Sequence, residues 1–296
     1  MKLHMGKVAL ELGSKYLSTL REANDLLDDV AALRARMEED GYLLIRGLHD
    51  RNEVMAGRRR LLEALAEEGQ LDSGADLMEG VLKPGARGAF YGGKKAVTHG
   101  EEVLRVLEGD RVMNFFSRFL GGPARTFDYK WIRLVAKDQF TGAHYDVVYM
   151  GRGTTNLYTC WTPFGDVGLE HGPLAICVGS HQFERVKLTY GQMDVDRDHV
   201  HGWFSSDPIE IVDKFGGLWA TGSFSMGDAL IFSMYTLHGS FNNTTDRVRI
   251  SADTRYQLAS EPIDERWIGE KPTAHYGWND PAKNVSMEEA RAKWNV

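Results

Sequence analysis

Two side chains that can bind a metal ion stand two residues apart in the segment Thr141-Gly-Ala-His144-Tyr-Asp146. Because successive side chains of a β-strand point to opposite faces, a strand here would present His144 and Asp146 on one face. His238, which follows an apolar run, is the candidate for a third ligand. Two histidines and one carboxylate leave open coordination positions, an arrangement typical of non-haem Fe(II) centres. We call His144, Asp146 and His238 the metal triad.

A side chain that can bind an acid follows in the next predicted strand. Arg249 offers a planar fork that matches a carboxylate, and Ser251 shares its strand face and adds a hydroxyl. The opposite face is apolar, which predicts packing against a covering layer. It carries Val248, Ile250 and Ala252. This alternation predicts a strand that directs Arg249, Ser251 and Asp253 into a cavity.

The same spacings occur elsewhere in the chain and leave alternatives. Arg247 has the same parity as Arg249, so alternation alone does not choose between the two arginines. His199 and His201 are also two residues apart, but they lie in a polar segment that predicts a loop. Metal ligands need a rigid frame that holds their geometry, so the solvated acidic loop is the preferred interpretation there.

Together these patterns resemble the phytanoyl-CoA dioxygenase family of Fe(II)/2-oxoglutarate-dependent oxygenases. The resemblance covers roughly residues 38 to 257. Further short segments carry it, namely Gly41–Gly47, Cys160–Phe164, Gly172–Leu174, Gly179–His181, Gly227–Phe232 and Asn242–Gln257. The family oxidises many substrates, so the resemblance predicts the chemistry and leaves the substrate open.

The resemblance implies a ligand set and a cosubstrate site. The metal triad would hold Fe(II), and 2-oxoglutarate would chelate the iron through its keto acid end. The resemblance favours Arg249 over Arg247, together with Ser251, as the partner of the distal carboxylate of 2-oxoglutarate. Trp161 matches a position that contacts the cosubstrate in the phytanoyl-CoA enzyme, and Trp131 does so by a looser alignment, although either could be an ordinary core tryptophan. With O2 as the oxidant, the products would be succinate, CO2 and an oxidised substrate.

The carboxylate of Asp146 bears on the type of reaction. In the related halogenases a small residue takes this position and leaves room for chloride, so Asp146 favours hydroxylation or another oxidation of a small molecule. Two other classes stay open. One is a cupin-like metalloprotein such as an isomerase, and the other is a noncatalytic jelly-roll binding protein. The first would leave the pair Arg249 and Ser251 without a task, and the second would not need the metal triad and this pair intact.

The pattern of elements changes from helices to short strands along the chain. Helices are predicted near residues 26–37 (ended by Gly41), from Asp50 through Leu65, and over 101–120. Strands are predicted around 125–136, 143–148, 156–162, 173–178, 209–213, 228–235 and 247–257. This order predicts a mainly β fold with α-helices. Its core would be a double-stranded β-helix (a cupin-like jelly roll) buttressed by N-terminal helices.

We expect one catalytic domain over residues 1–296. Residues 1–122 would form a mostly helical N-terminal region, 123–258 the jelly-roll core, and 259–296 an irregular C-terminal tail with one short helix capped by Ser286. The glycine-rich stretch 69–100 predicts a mobile loop that closes over the substrate, because long irregular loops often gate active sites.

Composition excludes several partner classes. The net charge of −7 argues against nonspecific nucleic-acid binding, which needs a basic surface. No apolar run approaches the roughly 20 residues of a membrane span. The N-terminus lacks an apolar signal segment, and Cys160 and Cys177 lie in apolar runs typical of buried thiols in a reducing compartment. We therefore expect a cytoplasmic protein with a small-molecule substrate.

Overall fold

Two large β-sheets, two small two-stranded sheets and the helices beside them form the computed structural model, which describes residues 1–277 and 281–296. The strands are β1 (Lys2–Met5), β2 (Val8–Glu11), β3 (Leu17–Thr19), β4 (Tyr42–Ile45), β5 (Ala89–Phe90), β6 (Ala124–Thr126), β7 (Trp131–Val135), β8 (Thr141–His144), β9 (Leu157–Pro163), β10 (Leu174–Val178), β11 (Val200–His201), β12 (Leu218–Thr221), β13 (Ala229–Ser233), β14 (His238–Ser240), β15 (Arg249–Leu258) and β16 (Val285–Ser286). The helices are α1 (Val30–Asp40), α2 (Arg51–Glu67), α3 (Lys95–Thr98), α4 (Glu101–Leu107), α5 (Asp110–Leu120), α6 (Val147–Met150), α7 (Glu184–Leu188), α8 (Val195–Asp198), α9 (Pro208–Phe215) and α10 (Met287–Trp294).

The larger sheet has seven strands in the order β4-β13-β9-β15-β7-β5, with β6 also paired to β15. The smaller sheet has five strands in the order β3-β12-β10-β14-β8. The two-stranded sheets pair β1 with β2 and β11 with β16. Side chains from both sheets share one apolar cluster that includes Trp161, Ile176 and Phe232. The inner faces of the two sheets therefore pack on each other, and the predicted jelly-roll fold is confirmed.

The N-terminal helices cover the outer face of the larger sheet. Leu33 of α1 and Phe116 of α5 pack in one cluster with Ile231 of β13. Leu61 of α2 packs in a second cluster with Ile250 of β15. The apolar residues of β15 thus face the helices, and the residues of opposite parity face the interior between the sheets.

Local signals account for the ends of these helices. Gly41 adopts a left-handed conformation with φ of 82° and donates its backbone N–H to the Met37 carbonyl, which ends α1. The Asp50 carboxylate accepts hydrogen bonds from the backbone N–H groups of Asn52 and Glu53 and begins α2. Both predicted boundaries are confirmed.

Three predicted elements were wrong. The strand expected at 209–213 is the helix α9, because Asp207 caps it and Pro208 occupies its first turn. The strand expected at 143–148 ends at His144, and the short helix α6 follows. The helix expected over 101–120 is two helices separated at Gly109, where the addition of a Cβ would clash with the Arg105 carbonyl.

Residues near both ends of the chain contribute to the packed structure. The unpredicted strand β3 pairs with β12 at the edge of the smaller sheet. In the C-terminal region Trp267 is buried, and its ring lies 4.7 Å from that of Trp131 between centroids. Ser286 caps α10 as predicted, by accepting a hydrogen bond from the Glu289 N–H. Among the described residues, no helix combines the length and the apolarity that a membrane span requires.

Candidate metal and cosubstrate site

Strand pairing in the smaller sheet brings the two histidines of the metal triad together. His144 ends β8 and His238 begins β14, and the two residues are direct partners in the antiparallel register. Their ring centroids are 4.1 Å apart. Asp146 lies beyond the strand end, with φ of −71° and ψ of −27°. The shared-strand argument for His144 and Asp146 was therefore wrong, yet the turn carries the carboxylate to the same place.

Ligand atoms of the metal triad all lie within 4.8 Å of one another. His144 Nδ1 is 2.9 Å from the Gly142 carbonyl oxygen, and His238 Nδ1 is 3.0 Å from the Thr236 carbonyl oxygen. A carbonyl can only accept, so both Nδ1 atoms carry the proton and both Nε2 atoms keep a lone pair. Each Nε2 lies 3.8 Å from Asp146 Oδ1, so three ligand atoms converge on one point.

The second oxygen of Asp146 is held by the protein. Arg255 Nη2 donates a 3.0 Å hydrogen bond to Oδ2, and the Thr159 hydroxyl donates to the same atom. All three side chains are buried. These contacts fix the carboxylate and leave Oδ1 directed at the histidines, which is how outer residues orient metal ligands.

Electrostatics keep the metal triad in the protonation states that a divalent cation needs. Burial, reinforced by the neighbouring imidazole of His238, lowers the pKa of His144 to about 3. Burial also lowers the pKa of His238. Burial opposes ionisation of Asp146, but the Arg255 guanidinium and the two imidazoles hold the pKa of this carboxyl well below its ordinary value. At neutral pH the set is therefore two neutral imidazoles and one carboxylate, which fits Fe(II).

Arg249 is a buried cation that contacts no carboxylate among the described residues. Its Nη1 donates to Ser251 Oγ at 2.8 Å and its Nη2 to Ser240 Oγ at 3.5 Å, while Nε has no partner within the described structure. Burial lowers the pKa of Arg249 to about 10. A buried guanidinium with unused donors is costly unless an anion binds it. The residues present therefore fit the distal carboxylate of 2-oxoglutarate.

The structure separates the two arginines that strand parity left equivalent. Arg247 precedes β15, is exposed, and forms a 3.2 Å ion pair with Glu79. Trp161 is buried on β9, and the guanidinium carbon of Arg249 lies 6.0 Å from its ring centroid. Trp131 on β7 lies against a different arginine, with the guanidinium carbon of Arg255 4.3 Å from its ring. Trp161 is thus beside Arg249, and Trp131 is beside Arg255, the residue that holds Asp146.

The alternative histidine pair makes other contacts. His199 Nδ1 contacts the Gly277 carbonyl at 2.9 Å, and His201 Nε2 contacts Asn284 Oδ1 at 2.7 Å. The segment is not a solvated loop as expected, since α8 and β11 lie in it and buried Asp196 pairs with Arg266. Within residues 1–277 and 281–296, the only group of three or more potential ligand side chains that could hold a metal is the metal triad.

Sequence reasoning missed several residues of the site. Arg255 shares strand parity with Arg249, Ser251 and Asp253, so the alternation of β15 could have indicated it. Thr159 had no such signal, because it reaches Asp146 only through the packing of β9. Ser240, two residues after His238, also went unnoticed, although it shares a strand face with that ligand.

A cavity with a volume of about 1020 Å³ opens beside His144 and Asp146. Trp131, Arg133 and Tyr149 are among the residues that line it. This volume is close to the upper limit of about 1,000 Å³ that is usual for small-molecule sites. A substrate held there would lie next to the open side of the metal triad.

Comparison with known proteins agrees with this geometry. The family model for phytanoyl-CoA dioxygenase (PhyH) matches residues 37–251. The chain is 25% identical over 266 residues to a 1-deoxypentalenic acid 11-beta-hydroxylase of Streptomyces exfoliatus, over 82% of this chain and 87% of the relative.

Two solved structures are similar in fold. One is the epimerase SnoN in complex with Fe3+, alpha ketoglutarate and nogalamycin RO (TM-score 0.57, 22% identity, 80% of this chain and 86% of that chain). The other is EctD from S. alaskensis in its apoform (TM-score 0.57, 17% identity, 86% of this chain and 87% of that chain). Because the family model matches most of the chain, this protein belongs to the phytanoyl-CoA dioxygenase family and is an Fe(II)- and 2-oxoglutarate-dependent dioxygenase.

Proposed function

We propose that this enzyme hydroxylates a small organic molecule held in the cavity beside the metal triad. The observation that carries the proposal is the convergence of two imidazole Nε2 atoms and Asp146 Oδ1 at one buried point. The net reaction combines a substrate C–H bond, 2-oxoglutarate and O2, and yields an alcohol, succinate and CO2. Iron chelated by 2-oxoglutarate supplies the oxidising chemistry for this reaction when both are bound.

The chain's own residues have distinct tasks in this proposal. The metal triad would hold Fe(II) from one side and leave the other side open. Arg249 would bind the distal carboxylate of 2-oxoglutarate, with Ser251 and Ser240 supporting its guanidinium. Trp161 would form one wall of the cosubstrate site, because its ring lies beside Arg249.

The residues around Asp146 favour hydroxylation over halogenation. Arg255 and Thr159 hold its carboxylate in place, so the position is filled by a fixed anionic ligand. The names of the Streptomyces exfoliatus and Streptomyces arenae relatives, both 11-beta-hydroxylases, support the same outcome. A cupin-like isomerase that uses no 2-oxoglutarate, or a noncatalytic binding protein, would bury Arg249 with unused donors and gain nothing from it.

We also propose that the chain works as one catalytic domain over residues 1–296. Strands β3, β4 and β5 from the N-terminal region belong to the two sheets. Trp267 and His275 from the C-terminal region lie against Trp131 and in the cavity wall. Removal of either region would therefore expose the core or open the substrate site.

The function can be tested without knowledge of the substrate. Purified protein under nitrogen should give the weak visible charge-transfer band of an iron–keto acid chelate only when both Fe(II) and 2-oxoglutarate are added. Exposure of this sample to air should then convert 2-oxoglutarate slowly to succinate. The His199→Ala protein is the control and should behave as the wild type. Absence of the band in the folded wild-type protein would contradict the proposal. Once a substrate is found, incorporation of one atom from 18O2 into the product would establish hydroxylation.

A further inference from the structure

The cavity beside the metal triad carries an excess of positive charge. Its charged lining residues are Arg87, Arg133, Arg255, Asp138 and Asp146. With histidines neutral, three arginines against two aspartates leave one net positive charge. Two groups next to the lining, Asp253 (paired with Arg133) and buried Arg249, add one charge of each sign and leave this balance unchanged. Bound Fe2+ and the doubly charged 2-oxoglutarate cancel each other, so the excess persists in the loaded enzyme. A substrate that enters this cavity is therefore favoured if it brings one negative charge.

Two of the three arginines are poorly suited to bind that charge. Arg255 is already engaged, since Nη2 donates to Asp146 and Nη1 donates to the Asp253 carbonyl at 2.7 Å. Arg87 lies on an exposed part of the loop before β5, where solvent screens its charge.

Arg133 is fixed in place and still has donors to offer. It stands opposite Ser251 in the pairing of β7 with β15, so its side chain points to the same interior face. Its Nε donates to Asp253 Oδ2 at 2.7 Å, which anchors the guanidinium. Within the described part of the chain, no acceptor is hydrogen-bonded to Nη1 or Nη2, and 37% of the side chain is exposed. The outer edge of this guanidinium can therefore bind a carboxylate bidentately.

Aromatic side chains form much of the remaining wall. Phe90 lies under the Arg133 guanidinium, with 5.4 Å between the guanidinium carbon and the ring centroid. The other aromatic rings of the lining are Tyr129, Trp131, Phe140, Tyr149 and Trp203. Such walls bury flat or compact apolar ring systems well and offer few groups for a highly hydroxylated substrate.

We propose that the substrate is a free monocarboxylic acid with an apolar ring skeleton, and that Arg133 binds its carboxylate while the aromatic walls hold the skeleton beside the metal triad. This inference rests on the proposed oxygenase function. One positive charge matches a carboxylate better than a phosphate monoester, which carries about −1.5 to −2 at neutral pH. It also matches a free acid better than a CoA thioester, whose several phosphate charges have no cluster of cations in this cavity.

The test uses three probe acids, namely 1-adamantanecarboxylic, 2-naphthoic and abietic acid, each beside its methyl ester. Binding to the anaerobic Fe(II)–2-oxoglutarate enzyme is measured as a shift of the charge-transfer band. We expect at least one acid to bind at least about tenfold more tightly than its ester, since a charge-assisted hydrogen bond contributes about that much. Arg133→Gln should weaken acid binding by at least about tenfold and change ester binding less than about twofold.

Two further variants separate the bidentate geometry of the Arg133 guanidinium from the effect of its positive charge. Arg133→Lys should restore only part of the acid affinity, because an ammonium cannot form a bidentate pair. Arg59→Gln removes one positive charge from an exposed position on α2 and should leave both affinities unchanged. Arg133→Gln must keep the band formed by Fe(II) and 2-oxoglutarate alone, which shows that the protein is folded and loaded.

The outcomes distinguish this inference from the proposed function. If the wild-type enzyme forms no charge-transfer band with Fe(II) and 2-oxoglutarate, the proposed function and the substrate inference are both overturned. If the band forms but no acid binds, or acids and esters bind equally, or Arg133→Gln binds the acids as the wild type does, only the substrate inference is overturned. A parallel titration with naphthyl phosphate and naphthoyl-CoA completes the test. Tighter binding of either one than of 2-naphthoic acid would also overturn it.

Discussion

Arg255 Nη2 donates a hydrogen bond to Asp146 Oδ2 across the interior between the two sheets, and both side chains are buried. The contact joins the centre of the largest sheet to the one carboxylate of the metal triad. It neutralises a charge that would otherwise be buried alone in the metal-free protein. It also leaves the other oxygen, Oδ1, facing the two histidines.

We expect Arg255→Gln to weaken Fe(II) binding by about tenfold to hundredfold, the usual cost when a residue that orients a metal ligand is lost. Arg255→Lys should lose less, because it keeps the charge. The measurement is anaerobic Fe(II) titration followed by the charge-transfer band. Arg247→Gln, which removes an exposed arginine paired with Glu79, is the matched control. Equal iron affinity in Arg255→Gln and in the control would show that the contact is structural only.

His144→Ala, Asp146→Ala and His238→Ala should each abolish iron-dependent succinate formation while circular dichroism still reports a folded protein. Each change removes one of the three atoms that converge on the candidate metal position. His199→Ala and His201→Ala should retain turnover, since both side chains lie in contacts outside this group. If His199→Ala and His201→Ala lost iron binding while the three variants of the metal triad kept it, the ligand assignment would be wrong.

Arg249→Ala should raise the apparent KM for 2-oxoglutarate by at least about tenfold, because a hydrogen bond to a charged group contributes roughly 1.5–3 kcal/mol. Arg249→Lys should recover part of the loss, and Ser251→Ala should have a milder effect. Arg247→Ala should leave the constant nearly unchanged. Steady-state succinate formation measures all four. A critical Arg247 with a dispensable Arg249 would be incompatible with the buried, unpaired guanidinium.

The stretch 69–100 should be cleaved by a protease in the free enzyme and protected by a tight-binding substrate. Gly88, Ala89 and Phe90 from this stretch line the cavity, so a bound molecule would contact them directly. Limited trypsin digestion followed by mass spectrometry reports the cleavage sites and their rates. Arg59 lies inside the helix α2, so cleavage there should stay slow in both states and reports that the rest of the fold is intact. Identical cleavage rates with and without substrate would show that the segment does not close.

The metal-free protein should lose stability as pH falls below about 6.5. Burial lowers the pKa of His144 to about 3, so between these values the unfolded chain binds a proton at this residue that the folded chain does not. Folding stability from this group is therefore present at neutral pH and decreases by about 1.4 kcal/mol per pH unit below 6.5. Urea unfolding of chelator-treated protein at pH 5 and pH 6.5 measures the slope. His144→Gln should reduce this slope by the contribution of about one proton taken up on unfolding. An unchanged slope would show that His144 does not stay neutral when buried.

The sequence alone determined the fold class and the chemistry of the candidate site. Strand alternation from Val248 to Asp253 indicated which side chains face the interior, because the two faces of a half-apolar strand are distinguishable by residue type. The capping residues Asp50 and Ser286 were also readable, since the hydrogen bonds of a cap are local. At Pro208–Phe215 the apolar periodicity was ambiguous, because a short apolar run suits a strand or a helix equally well, and the prediction overlooked the local helix signals of Asp207 and Pro208.

Tertiary structure decided which of the chemically equivalent residues meet. Strand parity did not distinguish Arg247 from Arg249. The structure does, because β15 begins at Arg249, which is buried, whereas Arg247 lies before the strand and is exposed. The pairing of β8 with β14 is a contact between segments far apart in the chain, and it is this register that brings His144 and His238 together. The support of Asp146 by Arg255 likewise depends on the packing of the two sheets. Contacts of this kind arise from the joint burial of many side chains, and no local spacing encodes them.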